Sequence, residues 1–157
     1  FLPMTFSDTV LAHLEKSGVI RSPVDPDSVD ALLPKYFPFR TGRLDWSQAR
    51  EERHLAPPTE RDRGANIPGG LDTREYSETV VEFVESLELE MEHADVAVVF
   101  DDGTPTALVT FDQLPSVLRA IHEVPAHRYI FPISVEWCLN WTIEDDVIFG
   151  WSSPRKR

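Results

Sequence analysis

Few residues in this chain have the chemistry that catalysis requires. Cys138 is the single cysteine, which excludes an internal disulfide and a cysteine-cluster zinc site. A nucleophilic thiolate would need a nearby base, and a cysteine flanked by Trp137 and Leu139 is more typical of a packed small side chain. The five histidines are scattered and form no pair on one helical face, as a zinc site would require. Hydrolase, phosphate-loop and dinucleotide motifs do not occur among the seven glycines. We therefore predict no catalytic residue, no metal and no cofactor.

Carboxylates are abundant, and the most specific pattern among them is a row of glutamates. Their steps of four, three, three and four place them on one face of a helix. The row consists of Glu78, Glu82, Glu85, Glu88 and Glu92. Like charges at such spacings destabilise a helix by about 0.2 to 0.5 kcal/mol per pair, and only Arg74 lies nearby in sequence to offset them. The row favours a docking surface for a basic protein. The alternatives are a solubilising face or internal pairing with the arginine-rich segment 40–63.

A second candidate contact surface lies near the carboxyl terminus. Trp137, Trp141 and Trp151 are close in sequence to an acidic turn, and tryptophan surrounded by acids is typical of interfaces with cationic partners. The turn lacks the spacing of a calcium loop. Alternation along the strand predicts that Trp137 and Trp141 are buried and that Trp151 is the most exposed. The predicted contacts here are Glu144, Asp145, Asp146 and Trp151.

Charge is unevenly distributed along the chain. The formal net charge is −12, which disfavours binding to nucleic acid or to anionic membranes. Residues 1–74 are nearly neutral, whereas residues 75–146 contain sixteen acids against only Arg119 and Arg128. An acidic half attached to a neutral half predicts a basic protein partner.

The apolar periodicities predict an α+β fold. Helices are expected over about 7–17, 27–33, 45–54, 73–93 and 112–122. Strands are expected over about 95–100, 106–110, 128–133, 135–142 and 147–151. The predicted architecture is thus amino-terminal helices and a long acidic helix packed on a mostly antiparallel sheet of about five strands. Residues 56–72 are expected to form a long loop.

Length and composition predict one domain over residues 1–157, with 41% hydrophobic residues available for its core. The chain contains no apolar run of the roughly 18 to 20 residues that a membrane span needs, and its start lacks a secretory pattern, so we expect a cytoplasmic protein. Residues 1–3 precede Met4, and we interpret them as a cloning remnant ahead of a native start.

The carboxyl-terminal run also carries a family resemblance. Its pattern is Tyr129-x-Phe131-Pro132-x4-Trp137-Cys138-x5-Glu144-Asp145-Asp146-x2-Phe149-Gly150. Over about residues 127–151 this resembles the endings of bacterial immunity proteins that accompany polymorphic and contact-dependent inhibition toxins. The resemblance implies a small acidic cytoplasmic inhibitor that occludes the active site of a toxin, commonly a basic nuclease, and that needs no catalytic residue.

Two other functions are compatible with the sequence. One is a small enzyme that uses carboxylates in a cleft, which requires two groups in environments that separate their pKa values. The other is an adaptor or a subunit of a homo-oligomer, which predicts an exposed apolar patch. The oligomeric state itself stays open.

Overall fold

The computed structural model describes residues 12, 16, 32–40, 43–56, 73–90, 95–101, 106–122, 124 and 126–152. Three α-helices lie within these ranges: α1 (Leu33–Tyr36), α2 (Thr73–Ser86) and α3 (Leu114–Ala120). The strands are β1 (Phe39–Arg40), β2 (Arg43–Leu44), β3 (Arg50–Leu55), β4 (Asp95–Phe100), β5 (Ala107–Thr110), β6 (Arg128–Pro132), β7 (Trp137–Trp141) and β8 (Val147–Trp151). Short 3-10 helices span Trp46–Gln48 and Phe111–Gln113.

The fold is α+β, and its centre is a six-stranded sheet in the order β3-β8-β7-β6-β4-β5. Every neighbouring pair in this sheet is antiparallel. Strands β1 and β2 form a separate antiparallel pair. After α2 the order of two strands, one helix and three strands confirms the prediction, and β4 and β8 have the predicted bounds.

Both faces of the sheet are covered at its central strands. Because side chains alternate along a strand, β7 sends Trp137, Leu139 and Trp141 to one face and Cys138 to the other. The first face packs under α2 and α3 in the larger apolar core. The second face, with Cys138 and Phe131, packs under α1, β2 and the 3-10 helix that contains Trp46. Strands β6 and β7 are therefore buried along their whole length.

The central sheet has one strand more than predicted, because β3 forms where a helix was predicted over 45–54. Only the 3-10 helix Trp46–Gln48 is helical in that segment, and Arg50–Leu55 pairs with β8 at the edge of the sheet. All residues of β3 except Leu55 are exposed, so the strand has no apolar alternation that sequence could reveal. The register shifts between Arg50 and Arg53, and Glu51 there has a left-handed φ of 51°. The prediction of a helix over 45–54 was therefore wrong, and the sheet has six strands rather than about five.

Helix α2 is shorter than predicted. It ends at Ser86 rather than near residue 93, because Leu87 and Glu88 form a turn in which Glu88 has a φ of 51°. A residue in this left-handed conformation is a common way to end a helix. Residues 91–94, including Glu92, lie outside the described residues.

Several predicted amino-terminal elements lie partly or wholly outside the described residues. Helix α1 begins at Leu33, the last residue of the helix predicted over 27–33, and has Pro34 in its first turn. Residues 27–31 are outside the described ranges, as is the predicted loop 56–72 apart from Ala56. Of the helix predicted over 7–17, only Ala12 and Lys16 are described, and both are helical.

Candidate protein-binding site

The acidic turn between β7 and β8 is built around a buried arginine. The side chain of Arg128 is 1% exposed, and its guanidinium lies 4.2 Å from the centre of the Trp141 ring. It donates hydrogen bonds to five backbone carbonyls, among them those of Ile121 at 3.0 Å and Thr142 at 2.8 Å. Burial lowers the pKa of Arg128 to about 10, which still leaves it charged at neutral pH. Arg128 therefore joins the end of α3 to β7 and the turn.

Asp145 belongs to the same buried network. Its carboxylate accepts hydrogen bonds from the indole of Trp141 at 3.0 Å and from Arg128 at 3.4 Å. Its carbonyl accepts a hydrogen bond from the Tyr76 hydroxyl at 2.8 Å, which attaches the start of α2 to the turn. Asp145 has a φ of 68°, a conformation that aspartate tolerates better than most residues. Since these groups are engaged within the fold, we leave Asp145 out of the contact surface proposed below.

The other two acids of the turn have partners in the segment 40–63. Glu144 accepts a hydrogen bond from Arg43 at 3.0 Å, and Asp146 lies 3.2 Å from His54. The pKa of Glu144 is lowered, first by a hydrogen bond from its own backbone N–H and then by Arg43. Pairing with the segment 40–63 was the alternative considered for the glutamate row. Among the described residues, the acids that pair with this segment are those of the turn.

The tryptophans follow the predicted order of exposure. Trp137 and Trp141 are 1% and 0% exposed, whereas Trp151 is of intermediate exposure. Trp151 packs edge-on against Phe149, with their ring centres 5.5 Å apart. Part of its surface therefore remains available to a partner.

The glutamate row on α2 is divided by one arginine of α3. Arg119 donates to both carboxylate oxygens of Glu78, at 2.6 Å and 3.2 Å, which lowers the pKa of Glu78. The next three members, Glu82, Glu85 and Glu88, are exposed. Within the described ranges none of their carboxylates has a salt bridge or a side-chain hydrogen bond. The later part of the row is therefore a local excess of negative charge.

A cleft of about 260 Å³ lies beside Glu85 and Glu88, the last two of these glutamates. The Glu78–Arg119 pair joins the start of α2 to the end of α3, so the two helices run antiparallel and the cleft lies between the end of α2 and the start of α3. Its lining combines apolar side chains with three acids: Val84, Leu89, Phe111, Leu114, Pro115, Glu85, Glu88 and Asp112. Sequence reasoning missed this cleft because Phe111 and Asp112 come from a 3-10 helix far along the chain from α2. The only sequence feature that could have indicated the cleft was Phe111, which lies directly before the helix predicted over 112–122.

A second cleft, of about 290 Å³, lies on the opposite face of the sheet. Its walls are mostly apolar, and Asp101 is the single carboxylate among the described residues that line it: Leu33, Pro34, Phe39, Val99, Phe100, Asp101, Tyr129 and Phe131. Burial raises the pKa of the Tyr129 phenol. The predicted alternative, an enzyme that uses two carboxylates in a cleft, would need a second carboxylate beside Asp101, and the described lining residues supply none.

The geometry is unfavourable for nucleophilic chemistry at Cys138. The side chain is 0% exposed, and burial raises the pKa of its thiol, so the thiolate is disfavoured. Over the described residues, no group of three or more histidine, cysteine, aspartate or glutamate side chains is arranged to hold a metal ion. None of the helices in that part of the chain has the length and apolar character of a membrane span.

Comparisons of the chain with protein-family models, with curated proteins and with solved structures found no match.

Proposed function

We propose that this protein is a cytoplasmic binding domain for a basic protein and that it acts as an immunity protein, neutralising a toxin by covering its active site. The observation that supports this proposal best is the exposed row Glu82, Glu85 and Glu88, which has no salt bridge among the described residues and whose last two members line a largely apolar cleft. The cleft supplies apolar surface to bury, and the carboxylates select a cationic partner.

The distribution of ion pairs supports an external role for these three glutamates. If the acids of the chain served only its own stability, its cations would be expected to reach the longest row of acids. Among the described residues, Arg119 instead binds Glu78 directly and acts on Glu85 only through its longer-range charge, and Arg128 is enclosed in the core. The side chains of Glu82, Glu85 and Glu88 are exposed at the surface.

A charged surface next to an apolar cleft has the two properties that an inhibitor needs. Complementary charge raises the association rate above the roughly 10⁵ to 10⁶ M⁻¹s⁻¹ of uncharged partners. Side chains buried in a cleft slow dissociation, which then sets the affinity. Fast capture and slow release protect a cell from its own toxin.

Affinity capture from the native lysate, with charge-reversal variants, tests this proposal. The doubly substituted Glu82→Lys, Glu85→Lys protein should lose its partner while keeping its fold, as judged by circular dichroism. A protein carrying Glu52→Lys and Glu136→Lys changes the net charge equally at exposed positions away from the cleft and should still capture. The captured protein should be basic, should be toxic when expressed alone, and should dissociate more readily as salt increases.

Two results would refute the proposed function. One is full capture by the protein with Glu82→Lys and Glu85→Lys, because the α2 surface would then lie outside the interface. The other is a captured partner that is acidic, or harmless in the absence of this protein.

A further inference from the structure

We infer that the cleft between α2 and α3 receives an arginine side chain of the basic partner. This inference rests on the proposed function and adds the chemistry of the contact. Its basis is the combination of apolar walls, an aromatic ring and three carboxylates in one small space.

The size of the cleft suits one side chain. Its volume of about 260 Å³ lies just below the roughly 300 to 1,000 Å³ typical of pockets for small-molecule ligands. Apolar side chains from both helices, including Val84, Leu114 and Pro115, form its walls. Such walls suit the methylene stem of a long cationic side chain, which buries its stem while its charged end stays near water.

The charged groups at the cleft suit a cationic end group. Glu85 and Glu88 come from the end of α2, and Asp112 comes from the 3-10 helix before α3. Acids therefore contribute from both sides of the cleft, and a cation between them would interact with more than one carboxylate. Neither Glu85 nor Glu88 has a salt bridge among the described residues to compete with that cation.

Phe111 favours arginine over lysine. A guanidinium is planar and weakly hydrated, so it stacks on an aromatic ring while donating to carboxylates, whereas an ammonium is compact and strongly hydrated. The Phe111 ring contacts Trp137 edge-on, with the ring centres 6.3 Å apart. Because Trp137 is buried, this contact holds the phenylalanine ring in place for stacking.

Titration of the isotope-labelled protein with a tetraarginine peptide, followed by NMR of the backbone amides, tests the inference. The shifts should cluster at the ends of α2 and α3 that form the cleft. Tetralysine should bind more weakly, by a factor on the order of three to five. Replacing Glu85 and Glu88 by glutamine should abolish the clustered shifts, whereas replacing Glu52 and Glu136 by glutamine should leave them unchanged.

Substitution of the aromatic ring separates stacking from charge. Phe111→Leu should bring tetraarginine affinity down to that of tetralysine, and Phe111→Tyr, which keeps a ring, should preserve the difference. The dispersion of the NMR spectrum reports whether each variant is folded. Shifts spread evenly over the acidic surface, or an arginine preference that survives Phe111→Leu in a folded protein, would overturn the inference.

Failure of the inference and failure of the proposed function give different results. If tetraarginine does not select the cleft but Glu82→Lys with Glu85→Lys still abolishes capture from the lysate, only the arginine contact is wrong. If capture also survives that double change, the binding surface itself is wrong.

Discussion

Glu88 offers a way to separate the stability of the fold from binding at the cleft. Its φ of 51° lies in the left-handed region, which costs a residue with a side chain roughly 1 to 2 kcal/mol. Glycine adopts this conformation freely, but it loses more backbone entropy on folding, which costs roughly 0.5 to 1 kcal/mol. The difference between the midpoints of these two ranges is about 0.75 kcal/mol, and we expect Glu88→Gly to raise the free energy of unfolding by about that amount. At the same time the variant loses a carboxylate of the cleft.

The chain contains a matched control for this substitution. Glu51 in β3 has the same φ of 51° and is exposed, but it lies at the bulge on the opposite edge of the sheet from β5 and does not line the cleft. Glu51→Gly should therefore give a similar gain in stability and should leave tetraarginine binding unchanged. Both variants change the net charge by the same amount, so a general charge effect would act on them equally.

Two assays measure the two effects. Urea denaturation gives the free energy of unfolding, and thermal unfolding should show a midpoint raised by roughly 1 to 4 °C in both variants. NMR titration with tetraarginine should show weaker binding for Glu88→Gly alone. Equal binding by the two variants would refute the role of Glu88 in the cleft, and a loss of stability in Glu88→Gly would refute the reasoning about its backbone.

Three further substitutions test the arrangement of the charges and the core. Arg128→Met should destabilise the fold by roughly 3 to 5 kcal/mol in urea denaturation, because it removes the positive charge beside the partly buried Asp145 carboxylate and the donor to five backbone carbonyls. A loss below about 1 kcal/mol would contradict this. Gly150→Ala should lower the free energy of unfolding by roughly 1 to 3 kcal/mol, because the added methyl would lie 2.8 Å from the Cβ of Ala49. An unchanged urea midpoint would contradict this and would show that the neighbouring 3-10 segment can shift at little cost. The pKa of Glu78 is lowered in the folded protein, so the stability from its pair with Arg119 is present above its ordinary value of 4.5 and is lost as pH falls through the lowered value. The stability difference between wild type and Arg119→Met should accordingly be small at neutral pH, because the pair is exposed, and should vanish in acid; a difference that grows in acid would reverse the assigned sign.

The parts of the fold that sequence predicted are those in which local pattern and tertiary burial agree. Strand β4 is an apolar run covered on both faces, and β8 is a short apolar strand that follows a turn, so the sequence defined their bounds. Strand β3 is charged and exposed, and only its pairing with β8 makes it a strand. The end of α2 was missed because a glutamate occupies the left-handed position where glycine is the usual signal.

The site was visible in sequence only where it depends on spacing along one element. The steps between Glu78, Glu82 and Glu85 gave their common face, and all three are exposed on α2. Arg119 pairs with Glu78 although it lies 41 residues away in sequence. This pairing depends on how α3 packs against α2, which the spacing of residues along the chain does not predict. The cleft depends on the same packing, because its walls come from two elements.

The placement of the two basic residues between positions 75 and 146 explains why negative charge remains at one end of α2. Arg128 is buried, where it satisfies backbone carbonyls and Asp145, and Arg119 is held by Glu78. Neither has its guanidinium free to pair with Glu82 or Glu88, and repulsion between like charges at these spacings costs about 0.2 to 0.5 kcal/mol per pair. A cationic partner would relieve that repulsion on binding, so the same glutamates that weaken the isolated helix would stabilise the complex. Under the proposed function, the charge would therefore serve the binding of a partner rather than the stability of the isolated chain.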